Sequence, residues 1–201
     1  MSVLALLGCG IVLNVVIGQL VRNVLRLPIY LDSIGTILAG ALGGPLAGAA
    51  TGAISNVVWG IIFQDPGIVP FALTAACIGV CAAGAASLGA FKYVSGSLLA
   101  GLVTGAIAAL VSAPISAYVH QASNGAGQVA LRALLASTGG NLLQAVTLQG
   151  FVSDPLDKAL SFLAIYGLLR FLPSSIQNRL QRHAECRAPG ACRRAMARRW
   201  V

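Results

Sequence analysis

Charge is scarce in this sequence. Charged side chains make up 9% of the 201 residues against 57% hydrophobic ones, and mean hydropathy is +0.86. So few ionised groups cannot cover a surface in water, so lipid must be the solvent. Between Ser33 and Gln64 there is no charged side chain at all. The five cysteines make no disulfide framework. Cys77 and Cys81 lie one turn apart in an apolar stretch and read as small buried thiols. His183, Cys186 and Cys192 match no zinc spacing, so no metal is expected. Enzyme signatures are also missing: there is no paired His-Glu metal motif, no glycine-rich phosphate loop and no serine elbow. The expectation is a chain without covalent chemistry or cofactor, in which any ATP-driven step belongs to another subunit.

Glycine, by contrast, is placed with regularity. Gly40, Gly44, Gly48 and Gly52 recur at every fourth position, and Gly101, Gly105, Ala109, Ala113 and Ala117 make a second stripe. Small residues at that spacing let helices meet backbone to backbone, which is how they associate in lipid. The formal charge of +8 is equally local. Eight of the thirteen basic residues fall from Arg170 onward, so the basicity belongs to a tail and not to a nucleic-acid groove.

Punctuation by polar and helix-breaking residues gives six candidate spans, at about 3–21, 28–43, 45–63, 70–90, 96–120 and 155–172. The first has no basic start or cleavage site and reads as a retained span. Gly43-Gly44-Pro45 is a turn tight enough only for an antiparallel hairpin, with Pro45 opening the third span. Asp154, Pro155 and Asp157 read as the cap and first turn of the last span, and Pro173 as its stop. Residues 128–151 are apolar enough for a seventh crossing, but that would separate Lys92 from the Arg-rich tail. A re-entrant or interfacial segment broken at Gly139 and Gly140 is therefore expected before the last helix. The predicted fold is an all-α membrane bundle of six transmembrane helices over 1–173. The Arg-rich tail, 174–201, is expected to be disordered or to lie on the membrane surface. Basic residues face the cytoplasm, which places both termini there, in a cell membrane.

Polar side chains are costly in a bilayer and so mark function. Under this threading they converge on the outer side. The second helix, if capped by Asp32, covers only about 16 Å of a hydrocarbon core of about 30 Å. The loop from Leu25 to Leu31 must then descend into the protein. The expected small-molecule pocket is lined by Asp32, Asn56, Trp59, Asn141 and Gln144, with Arg22 and Arg26 available to an anionic group. Asn14 reads as interhelical hydrogen-bond glue.

The stretch from Leu27 to Leu38, reading LPIYLDSIGTIL, with Gly44-Pro-Leu-Ala-Gly48 and Gly52-Ala-Ile-Ser-Asn56, resembles the substrate-binding S components of energy-coupling factor (ECF) transporters. Asp154-Pro-Leu-Asp-Lys158, leading into the last span, is similar too. The resemblance implies a six-helix subunit that captures a vitamin or micronutrient and docks on a transmembrane T subunit driven by two ATPases. It also implies docking through small residues on the first helix, here Ala5 and Cys9. The alternatives are a structural or assembly subunit of a membrane complex and an autonomous small-solute facilitator.

Overall fold

The computed structural model describes residues 3–21, 30–122, 139 and 142–171. Every regular element among them is helical. The order is α1 (Val3–Gln19), α2 (Ile34–Gly43), α3 (Pro45–Ile62), a 3-10 turn (Pro66–Phe71), α4 (Ala72–Ser87), a short 3-10 turn (Ala90–Lys92), α5 (Val94–Ala122) and α6 (Leu142–Phe171). Three helical stretches, Pro45–Ile62, Pro66–Ser87 and Val94–Val119, are long and apolar enough to cross a membrane, which marks the chain as a membrane protein. Val3–Gln19 and Ile34–Gly43 are apolar but shorter. Large apolar side chains such as Leu4, Leu46, Leu73 and Phe171 point outward, whereas Asn14, Thr51, Asp157 and Ser161 are buried. Lipid can solvate the first set and cannot satisfy the second.

Both small-residue stripes are packing surfaces. The first folds back on itself. Gly40 in α2 and Gly48 in α3 both meet the Gly79 carbonyl of α4, and Gly52 meets Ala75 one turn earlier on that helix. Gly44 has a different task. At φ 88° it makes the one-residue turn between α2 and α3, a conformation that suits glycine, and a Cβ there would touch nothing. Pro45 follows as the first residue of α3, as predicted. The second stripe presses α5 on α6: Gly101 lies against Ala159 and the Lys158 carbonyl, Gly105 against Pro155 and the Asp154 carbonyl.

Three readings of the sequence are corrected here. The last helix does not begin at Asp154. It is one continuous helix of 30 residues with Pro155 inside it, so 142–151 belong to this helix, and the rest of the segment expected to dip and return lies outside the described residues except Gly139. A proline costs a helix one hydrogen bond, but that loss is tolerated where a neighbouring helix covers the site, as α5 does through Gly105. Asp154 and Asp157 are consequently mid-helix side chains with tertiary partners, not caps. Asp32 does not cap α2 either: Ser33 is its N-cap residue and makes no side-chain capping bond. Residues 128–138, 140 and 141, with the tail from 172 onward, lie outside the described residues.

Asn14 behaves as the glue expected of it. It is 2% exposed, and its amide donates to Thr36 Oγ1 at 2.7 Å and Ser55 Oγ at 2.9 Å while its oxygen accepts from the Gly35 and Thr36 amides. One side chain thus ties α1, α2 and α3. Asn14→Ala would leave several buried groups unpaired and is expected to destabilise the bundle by about 2 kcal/mol. Thermal denaturation in lipid nanodiscs checks this, and an unchanged midpoint would remove Asn14 from the list of structural ties.

Candidate functional site

The helices enclose a cavity of about 570 Å³ at one end of the bundle. Each helix contributes the same end. Asn14 and Gly18 come from the last turns of α1, Thr36 from the start of α2, Asn56 and Trp59 from the end of α3. Thr74 lies in the first turn of α4, Ser112 and Ser116 in the second half of α5, and Gln149 and Asp154 in the first half of α6. The floor is apolar. Ile78 and Ala108 line the cavity and belong to the core cluster of Ile37, Ala82, Phe162, Ile165 and Leu169. Phe91 stacks on Phe162 at 5.4 Å and reinforces that core.

Trp59 is set in the wall by local sequence. Gly18 stands opposite on α1, where a Cβ would fall 2.6 Å from the indole ring and 3.1 Å from the Asp32 Cβ. Glycine is what lets the indole and Asp32 approach α1 together. Phe63, one turn on, tilts against the indole at 5.3 Å.

The polar centre is built by α6. Asp157, fully buried, accepts the amides of Tyr30 at 2.9 Å and Leu31 at 2.7 Å and pairs with the Lys158 ammonium. Lys158 also reaches the Asp32 carboxylate, 3.5 Å away. Leu31 has φ 47°, a left-handed conformation costing about 1–3 kcal/mol that persists only when its surroundings hold it. The two bonds to Asp157 supply that restraint. Asp157 thus holds Tyr30 and Leu31 at the cavity just before α2, and Lys158 holds Asp32; residues 25–29 of the loop expected to descend there lie outside the described residues. Asp154, one turn earlier on α6, accepts the hydroxyls of Ser112 at 3.4 Å and Ser153 at 3.3 Å.

Of the residues proposed from the sequence, Asp32, Asn56 and Trp59 line this cavity together. Gln144 does not: it is exposed on α6, five residues from Gln149 and so on a different helix face. Arg22, Arg26 and Asn141 lie outside the described residues. Ala5 and Cys9 are exposed on α1, with Gly8 between them, at the end away from the cavity. Sequence reasoning gives Asp154 and Asp157 to the cap and first turn of the last span and Lys158 no role of its own, and so misses the centre of the candidate site. The signal was present in their spacing, which puts three ionisable groups within about one turn of an apolar helix.

Compared with known proteins, the chain has no match: no family, no curated protein and no solved structure corresponds to it.

Proposed function

We propose that this chain is the substrate-binding membrane subunit of an ATP-driven uptake transporter of the energy-coupling factor type, and that its cavity captures a micronutrient. The observation that carries the reading is the cavity itself. It is large enough for a small molecule, mixed in polarity, and closed beneath by the Ile37, Ile78 and Phe162 core. A facilitator needs a continuous path, whereas a closed floor suits capture followed by movement of the whole subunit. In this reading six helices cross a cell membrane, both termini are cytoplasmic and the cavity opens outward. The exposed Ala5, Gly8 and Cys9 of α1 then lie near the cytoplasm, where a T subunit with its two ATPases would dock.

Affinity purification from lipid membranes, with mass spectrometry of associated proteins and of released small molecules, tests this directly. The expected result is a complex containing a membrane partner and ATPases, together with a retained small molecule. Cys9→Phe is expected to release the protein partners and keep the small molecule. Purification with neither partner nor small molecule would overturn the reading, and loss of the small molecule with the complex intact would overturn the docking assignment.

A further inference from the structure

Acidic residues are scarce in this chain, five in all, yet Asp32, Asp65 and Asp154 line the cavity and Asp157 lies in contact with it through Lys158. Among the described residues, Lys158 is the one basic side chain in the lining. Lys92 and Arg170 are at the opposite end, where the Arg170 guanidinium donates to the Lys92 carbonyl. Pairing Asp157 with Lys158 leaves Asp32 a share of the same ammonium and gives Asp154 only hydroxyl donors among the described residues. Asp32, Asp65 and Asp154 are half-buried, and a carboxylate partly withdrawn from water is stabilised when a positive charge meets it. Three aromatic rings, Tyr30, Trp59 and Phe71, share the lining. Carboxylates beside aromatic faces are the surroundings in which an organic cation binds well. The wall also carries two polar groups lacking a partner. The Ser33 and Thr74 hydroxyls, in residues 3% and 7% exposed, have no hydrogen bond among the described residues.

We infer that the cavity selects a positively charged organic molecule, bearing an ammonium or cationic ring between Asp32, Asp154 and the Trp59 face. The inference rests on the capture reading above and gives it a substrate class.

An isosteric series tests it. Trp200→Phe leaves Trp59 as the sole tryptophan of the full chain, and its fluorescence in nanodiscs reports binding. The probes are choline, its uncharged carbon isostere dimethylbutanol and the anionic dimethylbutanoate. Choline is expected to bind about tenfold tighter than either isostere. Asp154→Asn and Asp32→Asn should each erase that preference, so that choline no longer binds more tightly than dimethylbutanol. Equal or tighter binding of the neutral or anionic probe would overturn the charge assignment and leave capture standing. No binding by any of the three would also overturn the charge assignment, and capture would then be judged on the retained small molecule.

Discussion

Lys158→Ala is expected to cost the bundle about 3–5 kcal/mol, the largest loss of any single charge change in this chain. Asp157 is fully buried, and without the ammonium it keeps only the Tyr30 and Leu31 amides among its described partners. Asp32 loses its counter-ion at the same stroke. A buried pair contributes little compared with a well-packed apolar pair, but breaking one strands a charge where water cannot reach it. Lys158→Met separates the two effects. It keeps the volume of the stem and removes the charge, so it should be nearly as damaging as alanine. Adding Asp157→Asn to it should restore much of the stability, because the fully buried charge is gone while an acceptor for the two amides remains, and Asp32 is half-exposed. Thermal unfolding in nanodiscs reads all three variants. If Lys158→Met alone melts with the wild type, the Asp157–Lys158 pair has no structural role.

The parts of this fold legible in the sequence are those that depend on local chain and solvent. Glycine at every fourth position reads as close helix contact whatever the partner, and Gly48 and Gly105 duly meet neighbouring backbones. The Gly44-Pro45 turn is written in two residues with fixed conformational preferences. Asp32, Asn56 and Trp59 share one cavity, and they could be grouped from the sequence because polar and aromatic groups in a nearly uncharged stretch have few other uses.

What failed to be legible depends on tertiary partners. An aspartate before a proline has the same sequence as a helix cap whether or not the helix started twelve residues earlier, and α5 supplies the cover that lets α6 run through Pro155. Asp157 and Lys158 stand adjacent in sequence, so nothing local shows that they hold the chain before α2, more than a hundred residues away. Gln144 was assigned to the cavity by membership of a polar segment. The helical phase that excludes it becomes calculable only once α6 is known to be continuous.

The stripe's partner, Gly79, was also missed, and it supports the sharpest test of the packing. One glycine in α4 receives two helices: a Cβ on Gly40 would stand 2.5 Å from the Gly79 carbonyl oxygen and one on Gly48 2.6 Å from it. A Cβ on Gly79 itself would run into the Gly48 carbonyl and come within 2.6 Å of the Ala49 nitrogen. These obstacles are backbone, which no rotamer change relieves. Gly79→Leu is therefore expected to cost about 3 kcal/mol or more, the upper end for overpacking, and Gly79→Ala a large part of that. Because Ile78 and Thr74 precede it on α4 in the cavity lining, separating α3 from α4 should abolish ligand binding as well. Gly84 is the control on the same helix. A Cβ there meets nothing within 4 Å, so Gly84→Leu should shift stability by no more than about 0.5 kcal/mol. Equal melting temperatures for Gly79→Leu and Gly84→Leu would mean that α3 and α4 do not touch at Gly48. A loss at Gly79 alone ties the glycine stripe, the helix pair and the cavity wall to one contact.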